Sequence, residues 1–317
     1  MIHYRTFRNP DPPLVAEAWN AGLSGPRTVQ IPPRATGLLE CVTLAKPYFD
    51  RDGLLLAFDG DRPVGLAHAG FAGGADGRSL DYSRGVLCAL GVAPLYRRQG
   101  VGSELLRRAE EYLRQKGAKE LFAGPCAPLN PFTYGLYGGA DSPGFLASDG
   151  LARPFLEHRG YQVARSVGIY RLVLNRLQLA PDARFAEIHP RYDILGAPYS
   201  QAGWYQEGVL GPIEAVEYRL QEKGTAQVHG RILLWDMTTF GYTWGETCVG
   251  LLGLKIDPGR LRQGLGKYLV AQVLLHVQQQ AFDCFEACVD LGNEPALGLF
   301  RGLGFEQVDT GYCYRKG

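Results

Sequence analysis

Residues 92–102 read Val-Ala-Pro-Leu-Tyr-Arg-Arg-Gln-Gly-Val-Gly, and residues 256–266 read Ile-Asp-Pro-Gly-Arg-Leu-Arg-Gln-Gly-Leu-Gly. A proline, an Arg-Gln-Gly triplet and a closing glycine recur in the same order, and Gly100 and Gly264 lie 164 residues apart. The apolar runs just upstream align at the same offset. Ordered matches at one constant offset indicate an internal repeat.

A second pair of segments supports the repeat. Residues 152–161 resemble residues 296–305, and both segments close on a glycine followed by an aromatic residue. The offset here is 144, so the first half holds about 20 extra residues, which we place at residues 124–145. The 317 residues therefore predict two domains, at 1–176 and 182–317, hereafter the first half and the second half.

Apolar periodicity predicts the same order of elements in each half. In the first half, a strand over residues 86–92 leads into the glycine-rich stretch and then into an amphipathic helix over residues 102–116. In the second half, a strand over residues 251–256 and a helix over residues 266–280 repeat this order. The expected fold is α+β, with a mixed, mostly antiparallel sheet flanked by helices in each half.

Each repeated stretch has the composition of a phosphate-binding turn. Glycines let successive backbone N–H groups face one point, the following helix adds its partly positive N-terminus, and the arginines add charge. Turns of this composition also occur without binding phosphate. The stretch is not a dinucleotide fingerprint, because Leu105 stands where a third glycine would be. It is not a Walker loop either, because no Gly-Lys-Ser/Thr follows.

The paired motifs resemble the GCN5-related N-acetyltransferase superfamily. The loop of that family reads Gln/Arg-x-x-Gly-x-Gly/Ala, which residues 97–102 match, and its closing element reads Asn-x-x-Ala-x-x-x-Tyr-x-x-x-Gly-Phe, which residues 293–305 match in part. The resemblance implies that the chain binds acetyl-CoA, or another short acyl-CoA, and transfers the acyl group to the amine of a small-molecule acceptor. It also implies that a backbone N–H near residues 90–92 stabilises the oxyanion of the attacked thioester.

The same resemblance implies cofactor contacts in both halves. In the first half they come from Leu90, Gly91, Val92, Arg97, Arg98, Gln99, Gly100, Val101, Gly102 and Ser103. In the second half they come from Leu254, Ile256, Arg262, Gln263, Gly264, Gly266, Lys267 and Asn293. No catalytic residue is assigned, and no metal is expected.

Some family features are missing. The tyrosine that commonly protonates the leaving thiolate is Leu156 in the first half and Phe300 in the second, and neither side chain can donate a proton. The first residue of the phosphate loop is Leu261 in the second half, and Asp149 replaces the family asparagine in the first. We therefore expect the main CoA site in the first half. A non-catalytic acyl-CoA-binding or scaffold protein is the alternative, and acyl transfer to a protein amine is a third hypothesis.

The insertion at residues 124–145 follows the strand beside the expected acyl site. One interpretation is a loop that shapes the acceptor site with Phe132, Tyr134, Tyr137 and Asp141. The other is packing between the two domains, and the two interpretations are compatible. Glu40, in a helix expected near the acceptor side, is more simply a surface residue than a base.

Composition bears on partners and compartment. A net charge of +1, from 33 basic and 32 acidic residues, gives no electrostatic support for nucleic acid or a membrane as a partner. No stretch approaches the roughly 18 apolar residues of a membrane span, and the N-terminus lacks the apolar core of a secretory signal. Seven cysteines without a Cys-x-x-Cys pair favour reduced thiols in a cytoplasmic protein over a disulfide framework or a zinc site. The oligomeric state stays open.

Overall fold

The computed structural model describes residues 1–23, 25–32, 34–132, 135–199, 204, 208 and 213–317. The strands are β1 (Ile2–Thr6), β2 (Leu54–Asp59), β3 (Arg62–Gly73), β4 (Leu80–Val92), β5 (Glu120–Ala123), β6 (Phe145–Leu146), β7 (Tyr161–Val173), β8 (Tyr192–Pro198), β9 (Ala215–Glu222), β10 (Val228–Asp236), β11 (Cys248–Ile256), β12 (Cys284–Asp290) and β13 (Glu306–Lys316). The longer helices are α1 (Pro12–Gly22), α2 (Val101–Gln115), α3 (Ala152–Glu157), α4 (Ala183–Ile188), α5 (Leu265–Gln279) and α6 (Glu294–Arg301). Helical turns over Gly37–Leu39 and Glu40–Leu44 lie between α1 and β2.

Helix α2 shows how local sequence sets these elements. It begins after Gly100, whose φ of 86° is in the left-handed region that favours glycine, and it ends before Gly117, whose φ is 112°. Its apolar stripe is buried against the sheet: Leu105, Leu106, Ala109 and Leu113. Burying one such leucine contributes about 1.5–3 kcal/mol, so the stripe anchors the helix directly behind the glycine-rich turn.

One sheet runs through the described part of both halves. Its strand order is β1-β2-β3-β4-β5-β13-β7-β12-β11-β10-β9-β8, and β6 pairs with β13. Pairing is antiparallel except for β4 with β5 and β11 with β12, which are parallel. These parallel pairs end at Leu87–Ala123 and at Leu251–Ala287, and beyond them β4 and β11 continue without that neighbour. The predicted α+β fold with a mixed, mostly antiparallel sheet is confirmed.

The two halves exchange their last strands. Strand β7, the last strand of the first half, lies between β12 and β13 of the second half. Strand β13, the last strand of the second half, also pairs with β5 of the first half, where Tyr314 lies opposite Ala123. Because β5 pairs with β13 and β12 pairs with β7, each half supplies the strand that flanks the parallel pair of the other.

Two apolar cores lie on the sheet, and each takes residues from both halves. The core around α2 includes Trp235 and Phe240 of the second half. The core around α5 includes Tyr170 and Leu172 of β7. A buried ion pair, with Arg27 Nη2 at 2.5 Å from Glu286 Oε1, also joins the halves. The halves are therefore packed as one unit.

The predicted elements are found, and their ends move by a few residues. The helices expected over residues 102–116 and 266–280 are Val101–Gln115 and Leu265–Gln279. Strand β8 was not predicted, because an edge strand with mostly exposed side chains shows no apolar alternation. The short helix α4 was not predicted either. No described helix has the length and apolar character needed to cross a membrane.

The expectation of reduced thiols throughout is wrong for two cysteines. Cys248 and Cys284 form a disulfide, and they lie opposite each other at the start of the parallel pair β11–β12. They are 36 residues apart in the sequence, so only the strand pairing brings them together. Glu246 lies beside both sulfur atoms in a group of metal-ligand residue types. Because the sulfurs are bonded to each other, they cannot act as thiolate ligands.

Candidate functional site

The first turn (residues 97–102) and the second turn (residues 261–266) adopt the same backbone conformation. A single 3-10 turn follows the strand in each case. Left-handed backbone then occurs at Arg98 (φ 59°) and Gly100 (φ 86°) in the first turn, and at Arg262 (φ 63°) and Gly264 (φ 82°) in the second. Alternating backbone of this kind forms a concave nest of N–H groups at the start of a helix, which is a binding site for anions.

A groove of about 420 Å³ opens beside the first turn, between β4 and α3. Eight of the ten residues expected to contact the cofactor in this half line it: Leu90, Gly91, Val92, Arg97, Arg98, Gly100, Gly102 and Ser103. Gln99 instead donates its side-chain N–H to the Leu95 carbonyl at 2.7 Å, and Val101 is buried in the core. Eight of the predicted residues thus lie together along one groove, and their binding of a cofactor stays a prediction.

Arg97 attaches the first turn to the strand and to helix α1. Its Nε donates to the Val92 carbonyl at 2.8 Å, and its Nη2 donates to the Gly22 carbonyl at 3.4 Å. Helix α1 approaches β4 closely, because a Cβ on Gly22 would lie 2.6 Å from the carbonyl carbon of Gly91. Arg97 thus organises the inner end of the groove, where the two backbones meet.

The outer end of the groove carries positive charge that sequence analysis missed. His158 and Arg159 line it just after α3, and the Arg159 guanidinium donates to Ser103 Oγ. Among the described residues, no carboxylate forms an ion pair with Arg98 or Arg159. Arg98 and Arg159 therefore line a groove whose described wall also contains one acidic residue, Asp149.

A signal for these two residues was present in the repeat. The closing element of the first half reads His158-Arg159-Gly-Tyr, whereas the matched positions of the second half are Gly302 and Leu303. A basic pair in only one copy of a repeated element points to a charge requirement in that copy.

The second turn faces a carboxylate of the chain itself. Asp182 Oδ2 lies 3.1 Å from Lys267 Nζ and 2.7 Å from Arg184 Nη2. The hydrogen bonds from Arg184 and Lys267 hold the pKa of the Asp182 carboxyl well below its ordinary value. Arg184 also extends over the turn, since a Cβ on Gly264 would lie 3.6 Å from its Cδ. One carboxylate of the chain therefore pairs with both of these cations beside the second turn.

The other residues expected at a second cofactor site keep structural contacts around the second turn. Asn293 caps α6, because its Oδ1 accepts a hydrogen bond from the Ala296 N–H at 3.2 Å. The remaining five are half-buried or exposed at the turn or on β11: Leu254, Ile256, Arg262, Gln263 and Gly266. Cofactor binding by these residues stays a prediction.

Strands β4 and β11 carry the same irregularity where their parallel pairing ends. Cys88 is bulged on β4 relative to β3, and Leu252 is bulged on β11 relative to β10. A bulge breaks the regular ladder and redirects neighbouring backbone groups. In the first half, this places altered backbone directly before residues 90–92, where an oxyanion donor is expected.

Comparisons with known proteins agree with this architecture. The model of the acetyltransferase (GNAT) family matches residues 30–138 and, separately, residues 201–305. The chain belongs to the acetyltransferase (GNAT) family. The two matches and the repeated turns confirm a tandem GNAT arrangement.

Three similar proteins each match more than four fifths of the chain. Mycothiol acetyltransferase from Saccharomonospora viridis is 26% identical over 277 residues, which are 83% of this chain and 84% of that protein. Mycothiol acetyltransferase from Thermobifida fusca is 24% identical over 314 residues, covering 87% and 93% of the two chains. A solved tandem GNAT protein from the clavulanic acid biosynthesis pathway superposes with a TM-score of 0.65 at 15% identity, and the match covers 99% of this chain and 98% of that one.

The position of the usual GNAT tyrosine is apolar in both halves. In the first half, Leu156 is 1% exposed and is part of the groove wall. In the second half, Phe300 is 3% exposed. Tyr137 offers a hydroxyl elsewhere in the first half, where it donates to the carbonyl of the bulged Cys88 at 3.0 Å. The hydroxyl therefore lies at the point where β4 and β5 part.

The insertion at residues 124–145 packs between the two GNAT halves. On one side, the Phe132 ring lies 4.3 Å from the His68 ring. On the other, Trp235 Nε1 of the second half donates to the Ala140 carbonyl at 2.8 Å. The packing interpretation is thus supported.

The acceptor-shaping interpretation of the insertion stays a prediction. Phe132, Tyr137 and Asp141 are described, and none of them forms part of the groove wall. Tyr134 lies outside the described residues. Glu40, weighed as a base, is exposed and accepts a hydrogen bond from Thr36 Oγ1 at 2.6 Å, as expected of a surface residue.

Proposed function

We propose that this chain transfers an acetyl group, or another short acyl group, from acyl-CoA to the amine of a small molecule, with CoA in the groove beside the first turn. The observation that carries the proposal is the course of the groove. It leads from a nest of N–H groups at Gly100 to the end of the bulged strand at Leu90. Its outer end presents cations without carboxylate partners among the described residues, which suits the phosphates of CoA.

The reaction needs few groups from the protein. The amine nitrogen attacks the carbonyl carbon of the thioester, the C–N bond forms, the C–S bond breaks, and CoA leaves as its thiolate. We place the oxyanion of the intermediate against backbone N–H groups of residues 90–92. The amine proton passes to a base or to water, and the thiolate takes up a proton. Because a CoA thiolate is a good leaving group, transfer does not require the tyrosine that Leu156 replaces.

Acetyl-CoA binding to two matched glycine variants tests the location of the site. Gly100→Val and Gly264→Val each place a β-branched side chain at a φ above 80°. We expect Gly100→Val to weaken binding by at least about a hundredfold, because a side chain and a shifted backbone disturb the N–H nest. Gly264→Val should leave the affinity unchanged while carrying the same backbone strain. Isothermal titration calorimetry measures both, and the reverse result would place the site in the second half.

Release of free CoA thiol from acetyl-CoA tests the transfer reaction. Two similar proteins are named mycothiol acetyltransferases, so mycothiol lacking its acetyl group heads the panel of small amines. We expect thiol release with at least one small amine and loss of that release in Gly100→Val. Acetylation confined to protein amines would contradict the acceptor class and favour the hypothesis of transfer to a protein.

A non-catalytic acyl-CoA-binding protein is the second candidate function. Leu156 and Phe300 favour it, because both halves lack the usual proton donor at that position. Tight acetyl-CoA binding without thiol release across the amine panel would support this candidate and contradict acetyl transfer.

We also propose a cytoplasmic location. Thiol trapping in intact cells tests it together with the disulfide. In the reducing cytoplasm, Cys248 and Cys284 should be labelled as thiols, and recovery of the intact bond from intact cells would contradict this location.

A further inference from the structure

The outer end of the groove carries a cation, Arg159, that lies apart from the N–H nest of the first turn. The N–H nest of the first turn faces that pyrophosphate in the proposed function. Arg97 is engaged by the Val92 and Gly22 carbonyls, so it belongs to the turn itself. Arg159 contacts Ser103, just after the first turn, and His158 stands next to it in the groove wall.

The Arg159 guanidinium is held in place before any ligand binds. It donates to Ser103 Oγ from one edge and lies 5.2 Å from the Phe155 ring centroid. A planar guanidinium has five N–H donors, so most of them stay available for an anion. Arg159 is also half-buried, which reduces screening of its charge by solvent.

The second half provides an internal comparison for this charge. Gly302 and Leu303 occupy the positions matched to His158 and Arg159, and neither side chain can bind an anion. Lys267, at the position matched to Ser103, is paired with Asp182. The basic pair therefore occurs beside the groove of the first half and is absent from the matched positions of the second half.

We propose that Arg159, with His158 beside it, binds the 3′-phosphate of the CoA ribose and makes the first half selective for CoA over its 3′-dephospho form. The inference rests on the proposed function, because it assumes CoA in this groove. A phosphate monoester carries close to two negative charges near neutral pH and accepts bidentate hydrogen bonds from arginine. The pyrophosphate diester on the N–H nest leaves this second anion for the cations at the outer end.

Calorimetric titration with acetyl-CoA and with 3′-dephospho-acetyl-CoA tests the proposal in the full chain. We expect the unmodified protein to bind acetyl-CoA about ten- to a hundredfold more tightly than the dephospho form, the range of one charge-assisted arginine contact. Arg159→Met should lower the affinity for acetyl-CoA to the affinity for the dephospho form. The affinity for the dephospho form itself should not change. Arg159→Lys, which keeps the charge, should retain part of the preference.

Arg153→Met is the matched control. Arg153 is exposed on α3, the helix that precedes Arg159. It pairs with Glu157 and does not line the groove, so its loss should leave the preference intact. Equal weakening of both ligands by Arg159→Met would show a structural role through Ser103 and would overturn the proposal. Equal binding of the two ligands by the unmodified protein would overturn it while leaving the proposed function standing. Binding of neither ligand would overturn both.

Discussion

The first and second turns have nearly the same backbone, yet they face different surroundings. Their left-handed glycines differ by 4°, with φ of 86° at Gly100 and 82° at Gly264. The first turn opens into a groove whose wall includes Arg159, whereas the second faces Asp182. Glycine placement thus gives both turns the backbone of an anion-binding nest, whereas the charged side chains around them, which lie outside the motif, differ.

The two halves also differ at the first residue pair of their parallel strands. Arg84 lies opposite Glu120 in the first half, and Cys248 lies opposite Cys284 in the second. The register of the repeat is the same, while one pair is charged and the other is covalently bonded. The repeat therefore preserves backbone geometry at positions where side-chain chemistry has diverged.

Separating the halves should have the largest effect. We propose that the repeat units are residues 1–176 and 182–317, and we expect neither fragment to fold alone. Strand β5 would lose β13 and β12 would lose β7, which exposes unpaired strand edges and opens both cores. Circular dichroism and proton NMR of each fragment measure this. Co-expression should restore the fold, because the strands can pair between chains, whereas cooperative unfolding of either fragment alone would contradict the prediction.

Removing the disulfide should have the next largest effect on stability. Cys248→Ser opens a covalent loop of 36 residues, which we expect to lower the free energy of unfolding by about 3–4 kcal/mol without reductant. Dithiothreitol should lower the free energy of unfolding of the unmodified protein to that of Cys248→Ser, and it should leave the value for the variant unchanged. Urea denaturation measures both, with Cys41→Ser, an exposed free cysteine, as the control. An equal response of Cys248→Ser and the unmodified protein to reductant would contradict the prediction.

The repeated motifs were sufficient to predict both turns and the helices after them. Positive φ at Gly100 and Gly264 and apolar periodicity in α2 and α5 are local properties that short segments reveal. The strand exchange was not predictable in this way. Strands β7 and β13 carry similar patterns, and either could pair with β5 or with β12. Only packing of the whole chain therefore decides their neighbours.

The candidate site shows the same limit at the level of side chains. The residues of the first turn were found because they belong to one contiguous motif. Arg159 was missed because it reaches Ser103 only after α3 packs beside the start of α2. The Cys248–Cys284 bond was missed for the same reason, since strand pairing rather than spacing brings the sulfurs together.

His68 offers a smaller, pH-dependent test of the comparison. It is 2% exposed, its Nε2 has no hydrogen-bond partner among the described residues, and burial lowers its pKa to about 3. Leu233 occupies the matched position on β10, opposite Gly253 as His68 is opposite Ala89. The folded protein binds fewer protons here than the unfolded chain, whose histidine titrates near 6.5.

Stability should therefore fall as the pH drops below about 6.5, by about 2 kcal/mol at pH 5 from this residue alone. His68→Leu removes that contribution, so the loss of stability between pH 7 and pH 5 should shrink by this amount. Urea denaturation at the two pH values measures it. His276→Leu, at an exposed position on α5, is the control for replacing a histidine by leucine away from the core. If His68→Leu loses as much stability between pH 7 and pH 5 as the unmodified protein does, the buried imidazole is not the titrating group.

Asp182 gives the smallest expected effect and bears most directly on the two turns. Its carboxylate caps α4 by accepting the Arg184 N–H at 3.2 Å and also neutralises Lys267 beside the second turn. Asp182→Asn keeps a capping oxygen and removes the charge, so the stability should change by less than about 0.5 kcal/mol. Asp182→Ala also removes the cap and should cost about 1 kcal/mol.

The released charge should make the second turn a better anion site. In a Gly100→Val background, which disables the first turn, Asp182→Asn should strengthen inorganic pyrophosphate binding by about tenfold at low salt, the effect of freeing Lys267 and Arg184. Added salt should remove most of this gain, because both cations lie near the surface. An unchanged affinity would mean that the side chains over Gly264 block the turn sterically. The difference between the two turns would then be one of shape rather than of charge.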